Sequence, residues 1–579
     1  MSKSILLFLL LLSGLSCQAQ SSHIVRSGDV DIHYETFGEG PPVLIINGGP
    51  GFNSQGFSSM AEKIQAMGYQ PILFDQRGTG LSPVTERNAS TISMDLMVQD
   101  MEAIRQDLEL DEWTVLGHSF GGILANYYAS IHPEVFTAMI QSASGGIDLS
   151  LLQTAQRDIT RHFTPSEMDS LNRWRRQFRE GDDLGARRKY NQLFAKAYVY
   201  DEKFIPQVAD RLMEGDLDLN RMVWSDLRSI PYDCKPTLQS FCRPVLVIQG
   251  IQDIIPQALA YKADSVYCNS RIVFLDQCGH YGWLDQEEQY FQSIETFLDQ
   301  VHAPPCSISE VHPERFGEGL LEGDVFRGSF SPGDSIFYFF KKLDPVKEEY
   351  GIFTSERTAE GWSTPERLIL GNPHSDLYPS LSRDGQRMVF TSYRPLPDSM
   401  AQEEKPQAYL WYVDKQDGTW GEPVFMHQAN TLGHYHSWAE FGWYDRIYFR
   451  RTTPDWRSRS TLFVRWEDGN YSRPEAFKEV DVWIDQMDSV QVVGGSPGPS
   501  RDLIFLDVAT RDPETGRRGS DIWVSQKVDG EWQVPRVLEG GLKTDGYDVF
   551  PFYSSDGYSL YFNRDFDVLY SIPLRCVYE

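Results

Sequence analysis

The chain has 579 residues, more than one hydrophobic core usually spans, which excludes a single small domain and predicts two or three domains. Hydrophobic residues make up 41% and charged residues 23% of the chain, so large cores can form and wholesale disorder is excluded. The 82 acidic residues exceed the 53 Lys and Arg residues and give a formal net charge of -29, which disfavours nucleic acid as a partner.

Residues 1–19 are predicted to be a secretory signal peptide. Lys3 supplies a positive charge, residues 5–12 form an apolar run too short to span a bilayer, and small residues follow. Cleavage before Gln20 fits the small residues there, although Cys17 also ends a partial lipoprotein box. We expect an exported protein, periplasmic or extracellular, with lipidation of Cys17 as the less favoured alternative. No later stretch is apolar enough for a transmembrane helix.

The next part of the chain, from about residue 24 to 300, alternates short β-branched runs with longer amphipathic segments. This alternation is typical of a parallel β-sheet covered by helices, in a domain expected to span residues 20–303. The runs lie at residues 43–46, 71–74, 113–116, 138–141, 245–248 and 272–275. An insertion at about 146–236 has helical periodicity and many charges, and it is predicted to form a helical lid.

From residue 304 to 579 the sequence changes to short aromatic-rich strands that repeat roughly every 50 to 60 residues, which predicts an all-β propeller. Five front parts are found, at residues 330–339, 379–390, 439–449, 497–505 and 551–562. Only four rear parts with an aromatic-x-x-Pro pattern follow them, at residues 362–365, 420–423, 471–474 and 532–535. Residues 311–316 resemble the missing rear part, so we expect five blades, with the first strand completing the last blade. An irregular β-sandwich is the alternative, and the sequence identifies no ligand for this domain.

Beyond Cys17 the chain has an even number of cysteines, as expected in an oxidising compartment. Cys306 lies just before the opening strand of the predicted ring and Cys576 just after the final one, so we expect a disulfide between them. For the other four, reduced thiols and disulfides both remain open. Their spacing is not that of a zinc site, and no metal or organic cofactor is expected.

The segment Gly117-His118-Ser119-Phe120-Gly121 follows one of the predicted strands and precedes a predicted helix. Strand, tight turn and helix are the setting of a nucleophile elbow, in which small glycines permit the turn that exposes the serine hydroxyl. Ser119 is therefore the candidate nucleophile, and a plain glycine-rich turn is the alternative.

A serine nucleophile needs a base and an orienting carboxylate. Asp253 and His280 each follow a predicted strand, at the edge where open α/β sheets place their sites. The order Ser119, Asp253, His280 is that of an α/β-hydrolase triad, with Asp276 as the alternative acid. Gly49, in a glycine-rich loop after the first run, and Phe120 would supply backbone N–H groups to an oxyanion hole.

These motifs, with Gly48-Gly-Pro-Gly51 and Asp75-Gln-Arg-Gly-x-Gly-x-Ser82, resemble the proline iminopeptidase branch of the α/β-hydrolases over about residues 24–300. The resemblance implies an α/β-hydrolase fold with a helical lid, the triad already described, and release of an N-terminal residue, typically proline. Asn47 and His118 depart from that family's usual residues.

In that family a lid acid binds the substrate's free amine. Glu214 is the candidate by position, Asp216 and Asp218 are alternatives, and a solvated acidic surface is a further interpretation. The rear half resembles TolB-like and WD-like propellers of bacterial envelope proteins.

The sequence thus favours an exported serine aminopeptidase that acts on peptides or small acyl compounds. A carboxylic-ester hydrolase on the same triad is one alternative. A propeller-based binding protein with a vestigial hydrolase is the other.

Overall fold

The computed structural model describes residues 20–577 except 151–156, 158, 182, 231, 305, 318–324, 345, 348, 359–360, 398–406, 417, 457, 468, 481–490, 512–517, 529–530, 540–541 and 543–545. The predicted signal peptide at 1–19, with Cys17, lies outside the described residues. Within them, no helix combines the length and the apolar character needed to cross a bilayer.

The N-terminal half is built on one eight-stranded sheet with the spatial order β1-β2-β4-β3-β5-β6-β7-β8. Its strands are β1 (Gln20–Ser27), β2 (Val30–Phe37), β3 (Pro42–Ile46), β4 (Gln70–Phe74), β5 (Trp113–His118), β6 (Phe136–Ser142), β7 (Val245–Gly250) and β8 (Ser270–Leu275). Strands β3 to β8 pair in parallel, which confirms the six predicted runs, and β1 and β2 are antiparallel additions at one edge.

Helices cover both faces of this sheet. One face packs against α2 (Met94–Asp107) and α3 (Phe120–Ile131), and the other packs against α1 (Ser58–Ala66) and the helix Glu287–His302. The fully buried strand β3 sends alternate side chains into the two cores, as the two-residue period of a strand requires. This is the α/β-hydrolase architecture predicted from the sequence.

The insertion after β6 is helical, as predicted. Its helices are α4 (Pro165–Gly181), α5 (Leu184–Phe194), α6 (Ile205–Glu214), α7 (Leu217–Ser229) and α8 (Lys235–Leu238). Two small apolar clusters hold α4, α5 and α6 against the segment that carries Tyr198 and against the loop that follows β7. The insertion therefore covers the carboxyl edge of the sheet. The remaining helices are α9 (Gln257–Asp264), α10 (Gly282–Asp285) and α11 (Glu287–His302).

The C-terminal half consists of five small antiparallel sheets in a ring, the five-bladed propeller expected from the repeats, so the sandwich alternative is wrong. Blade 1 contains β10 (Val325–Phe330), β11 (Ile336–Lys342), β12 (Tyr350–Thr358), β13 (Gly361–Trp362) and β14 (Glu366–Leu368). Blade 2 contains β15 (Asp376–Leu381), β16 (Arg387–Ser392), β17 (Tyr409–Gln416), β18 (Thr419–Trp420) and β19 (Val424–Phe425). Blade 3 contains β20 (Tyr435–Phe441), β21 (Ile447–Thr452), β22 (Arg459–Val464), β23 (Trp466–Glu467), β24 (Asn470–Tyr471) and β25 (Glu475–Ala476).

The ring closes in blade 5. Blade 4 contains β26 (Gln491–Pro497), β27 (Leu503–Arg511), β28 (Arg518–Val528), β29 (Glu531–Trp532) and β30 (Arg536–Val537). Blade 5 contains β31 (Asp548–Tyr553), β32 (Ser559–Arg564) and β33 (Val568–Pro573), and its outer strand is β9 (Glu314–Arg315), which comes from the start of the domain. This pairing confirms the expected offset of the repeats and removes the open edges that a linear array would leave.

Two disulfides link described residues. Cys306 pairs with Cys576 beside the β9–β33 closure, the pair expected from the sequence. Cys242 pairs with Cys268, just before the starts of the neighbouring parallel strands β7 and β8, and the sequence analysis had left this pair open. Cys234 and Cys278 are buried free thiols.

The two halves meet at the β8 edge of the hydrolase sheet. Arg271 on β8 donates to the carbonyl oxygen of Gly557 and lies 4.2 Å from the ring centroid of Tyr558. Arg383 of blade 2 forms a 2.6 Å ion pair with the buried Asp264 at the end of α9. Loops of several blades thus dock on one side of the N-terminal half, away from the carboxyl edge of the sheet.

Candidate active site

Ser119 stands in the sharp turn between β5 and α3. Its backbone has φ 56° and ψ -116°, a strained conformation for a residue other than glycine. Gly121 makes the turn sterically feasible, because a Cβ there would lie 2.1 Å from the carbonyl oxygen of Ile46. The turn places Ser119 at the N-terminus of α3, where the helix presents unpaired N–H groups.

Asp253 and His280 are in direct contact. The Nδ1 atom of His280 lies 2.8 Å from Oδ1 of Asp253, and both side chains are buried. Asp253 also accepts bonds from the backbone N–H of Ile255 at 2.9 Å and from Nε2 of Gln249 at 2.8 Å. Asp276, the alternative acid, is exposed and accepts a bond from Gln252 instead. The geometry therefore puts Asp253, and not Asp276, on the histidine.

Ser119 and His280 line one cavity of about 90 Å³, here called the catalytic cavity, together with Gly49. Because Asp253 occupies Nδ1 of His280, Nε2 is the nitrogen left to exchange a proton with a substrate or nucleophile. The lid also fixes this histidine, since its backbone N–H donates to the carbonyl oxygen of Tyr198 at 2.7 Å.

The glycine loop lies directly against Ser119, the candidate nucleophile. A Cβ on Gly48 would stand 2.9 Å from Cβ of Ser119, so only a glycine lets the loop approach this closely. The next residue, Gly49, has φ 69° and lines the catalytic cavity. Phe120 begins α3, so the residue after Ser119 contributes an N–H at a helix N-terminus. Both candidate oxyanion residues thus flank Ser119.

The segment after β4 holds this loop in place. Asp75 is buried and accepts bonds from the backbone N–H and the hydroxyl of Ser54, at 2.9 and 3.0 Å. Arg77 forms a buried ion pair with Asp100 of α2. These residues support the site and do not line the catalytic cavity.

His118 forms part of the cavity wall. Its ring centroid lies 4.8 Å from that of His280, and the side chain is 1% exposed. Burial, together with the neighbouring His280, lowers the pKa of His118 well below its usual value. His118 is therefore a neutral wall residue at physiological pH.

The lid acids proposed from the sequence are all engaged by arginines. Glu214 is half exposed, forms an ion pair with Arg211, and does not line either cavity at Ser119. Asp216 caps α7 and forms an ion pair with Arg87 at 2.5 Å. Asp218 is largely exposed and pairs with Arg221.

A second cavity of about 320 Å³ lies beneath the lid helices and also reaches Ser119 and Phe120; we call it the lid cavity. Several aromatic side chains and three arginines line it: Phe178, Tyr190, Phe194, Trp224, Arg175, Arg179 and Arg187. The sequence analysis did not single out these arginines, and two of them, Arg175 and Arg179, are exposed to solvent as well as lining the cavity. It also missed Gln249, although the position of Gln249 at the end of β7, four residues before Asp253, was a usable signal.

Comparison with known proteins supports the fold of the first half. A family profile described as alpha/beta hydrolase fold matches residues 41–286. The chain is 25% identical to a proline iminopeptidase of Lactobacillus helveticus over 284 residues, which covers 46% of this chain and 95% of that protein. A proline iminopeptidase of Heyndrickxia coagulans is 25% identical over 280 residues, covering 46% of this chain and 94% of the relative.

Solved structures give low overall scores, because they align with only one of the two halves. A proline iminopeptidase of Mycobacterium smegmatis has a TM-score of 0.39 at 20% identity, over 48% of this chain and 98% of that chain. An esterase of Exiguobacterium antarcticum has a TM-score of 0.39 at 18% identity, over 48% of this chain and 100% of that chain.

Proposed function

We propose that the protein is a serine hydrolase that works through Ser119, His280 and Asp253 by way of an acyl-enzyme. One observation carries this proposal: His280, whose Nδ1 contacts the buried Asp253, lines the same cavity as Ser119. Ser119 also stands in a strained turn at the N-terminus of a helix. A strained turn and an oriented imidazole in the same cavity are typical of a catalytic serine and are not required of a serine without a function.

In the proposed reaction, Nε2 of His280 takes the proton of Ser119 as Oγ attacks the substrate carbonyl. The negative charge that develops on the carbonyl oxygen is met by the backbone N–H groups of Gly49 and Phe120. His280 then protonates the departing amine or alcohol, and an acyl-enzyme remains. A water molecule, deprotonated by His280, releases the acyl group and restores Ser119. Asp253 holds the imidazole in the required tautomer and stabilises its charged form.

The leading substrate proposal is a peptide from which the N-terminal residue is released. The similarity to proline iminopeptidases, at 25% identity over nearly their full length, supports this activity. Export to the periplasm or the exterior is part of the proposal; the sequence of residues 1–19 supports it, and the two disulfides are compatible with it.

An ester hydrolase is the second candidate, and a specific observation favours it. Release of an N-terminal residue by this family's route needs a carboxylate for the free amine, yet Glu214 and Asp216 are already paired with Arg211 and Arg87. Among the described residues that line the lid cavity, Asp216 is the one with a carboxylate, and this carboxylate is the one paired with Arg87. An ester substrate would need no such carboxylate.

A panel of aminoacyl, N-blocked aminoacyl and simple ester substrates separates the two candidates, because only an aminopeptidase requires the free amine. Ser119→Ala should abolish turnover and labelling by a fluorophosphonate while the circular dichroism spectrum stays that of the wild type. Near-normal turnover by this variant would refute the proposal. Failure of the wild type to react with the fluorophosphonate would favour a binding protein with a vestigial hydrolase.

A further inference from the structure

The lid cavity has a chemical character that neither substrate proposal uses. It reaches Ser119 and Phe120, so a substrate held at the nucleophile can extend into it. Its volume of about 320 Å³ is enough for one amino-acid side chain or a short acyl chain. Aromatic rings supply much of the wall, and the charged groups in it are mainly positive.

Three arginines line this cavity from two lid helices, and Arg175 and Arg179 are also exposed to solvent at its open rim. Arg175 and Arg179 are one turn apart on α4, and Arg187 lies on α5. Arg175 donates to Oδ1 of Asn172 at 2.8 Å, and Arg187 donates to the carbonyl oxygen of Gly215 at 2.6 Å. Among the residues that the structure describes, none of the three forms an ion pair with a carboxylate.

This concentration of positive charge favours an anionic ligand. Arg175 and Arg179 lie four residues apart on the same face of α4, so their side chains are neighbours. The chain as a whole has 82 acidic and 53 basic residues, whereas the charged residues among the described ones that line this cavity are three arginines and Asp216, so the cavity reverses the general charge of the protein. An anion in the cavity would pair with these arginines.

Asn191 supplies an independent observation. This residue is only 6% exposed, and it lines the lid cavity. Its Nδ2 group has no hydrogen-bond partner among the described residues. A buried amide without an acceptor costs free energy, and such donors normally have a partner when the site is filled. An acceptor that enters the cavity would satisfy this group.

We propose that the lid cavity binds a carboxylate on the acyl part of the substrate. This inference rests on the proposed hydrolysis at Ser119 and names the class of substrate: an amide or ester whose acyl group ends in a second carboxylate, such as a glutamyl residue. Arg175, Arg179 and Arg187 would hold the carboxylate by charge-assisted hydrogen bonds, and Asn191 would donate to it. A carboxylate is the anion that peptides and small acyl compounds of this size carry.

The test compares substrates that differ only in this charge. The value of kcat/KM is measured for glutamyl and glutaminyl p-nitroanilides, and for the 4-nitrophenyl monoester of glutaric acid and its methyl ester. Within whichever of these two pairs the enzyme hydrolyses, we expect kcat/KM of the acidic substrate to exceed that of the neutral one by roughly tenfold or more. Only the acidic substrate can form two or more charge-assisted hydrogen bonds with the arginines. The double substitution Arg175→Gln and Arg179→Gln should bring the ratio of kcat/KM for the acidic substrate to kcat/KM for the neutral substrate close to one.

The matched control is Arg176→Gln, an exposed arginine of the same helix that does not line the lid cavity. Its ratio should remain that of the wild type, and circular dichroism should confirm that all variants are folded. If Ser119 reacts with a fluorophosphonate and the neutral substrates are hydrolysed without any preference for the acidic ones, the inference is overturned while the proposed function stands.

If none of these substrates is hydrolysed, a binding measurement tests whether the lid cavity holds a carboxylate. Calorimetry with glutarate on Ser119→Ala should detect binding that the Arg175→Gln and Arg179→Gln substitutions abolish and Arg176→Gln preserves. Absence of glutarate binding to the full chain, or binding that survives the double substitution, would overturn the inference. Failure to label Ser119 in the wild type would by contrast count against the proposed function.

Discussion

Gln249 donates a hydrogen bond from Nε2 to Oδ2 of Asp253, 2.8 Å away, while the other carboxylate oxygen faces His280. Gln249 is buried at the end of β7, and its Nε2 group also lies 3.1 Å from the carbonyl oxygen of Ile255. The amide therefore fixes the rotation of the carboxylate, and through it the orientation of the imidazole. Gln249 is a positioning residue in the proposed mechanism.

Replacement of Gln249 by Leu should lower kcat by about 10- to 100-fold and change KM little, because the carboxylate loses the partner that orients it. The control is Gln239→Leu, at an exposed glutamine just after α8 that lines neither cavity, and it should leave kcat unchanged. The KM of both variants should stay close to that of the wild type, because neither glutamine lines the catalytic cavity or the lid cavity. Equal losses in both variants would contradict the assigned role.

Asp253→Asn should lower kcat by about 10⁴-fold, because an amide favours the wrong tautomer of His280 and cannot stabilise its charged form. The rate of fluorophosphonate labelling at Ser119 should fall as well. Asp276→Asn should keep close to wild-type activity, since that side chain is exposed and does not contact the histidine. The opposite ranking of the two variants would make Asp276 the catalytic acid.

Loss of the ring disulfide should destabilise the propeller. The Cys306–Cys576 bond closes a loop with a sequence separation of 270, against 26 for Cys242–Cys268. In the chain-entropy description the longer loop contributes more, so Cys306→Ser with Cys576→Ser should lower the free energy of unfolding by about 2–5 kcal/mol. Denaturant unfolding monitored by tryptophan fluorescence measures this loss, with Cys242→Ser and Cys268→Ser as the comparison. A larger loss in that second pair would count against the role of the ring closure.

Much of the site could be predicted because its residues follow local motifs. Ser119, Asp253 and His280 each come directly after a strand of one parallel sheet, so their convergence at one edge follows from the topology. The Cys242–Cys268 pair could also have been found, because both residues lie just before paired parallel strands.

The lid did not follow from motifs. Arg175 and Arg179 are exposed and also line the lid cavity, which depends on how α4 packs against α5, and helical periodicity alone does not fix that packing. Glu214 was chosen by its place in the chain, yet Arg211 lies three residues before it on the same helix and engages its carboxylate. An i,i+3 pairing of this kind was visible in the sequence and should have weighed against Glu214 as an amine ligand.

The stability of the propeller should depend on pH through Asp507, which lies on β27 of blade 4 and is 3% exposed. Burial raises the pKa of Asp507 to about 7, although the backbone N–H of Phe550 donates to it and Arg327 and Arg450 lie nearby. In the unfolded chain an aspartate has its ordinary pKa of about 4. Between pH 4 and pH 7 the folded state therefore keeps a proton on Asp507 that the unfolded state has released. The contribution of this group to stability is full below pH 4 and is lost as the pH rises through 7.

Asp507→Asn should therefore raise the free energy of unfolding by about 2 kcal/mol at pH 8 and change it little at pH 4, because the amide cannot ionise. Denaturant titrations of wild type and variant across this range measure the difference. Asp567→Asn, at an exposed aspartate of blade 5, is the control and should not alter the pH dependence. A variant at position 507 whose stability falls in parallel with the wild type between pH 4 and 8 would show that another group governs the transition.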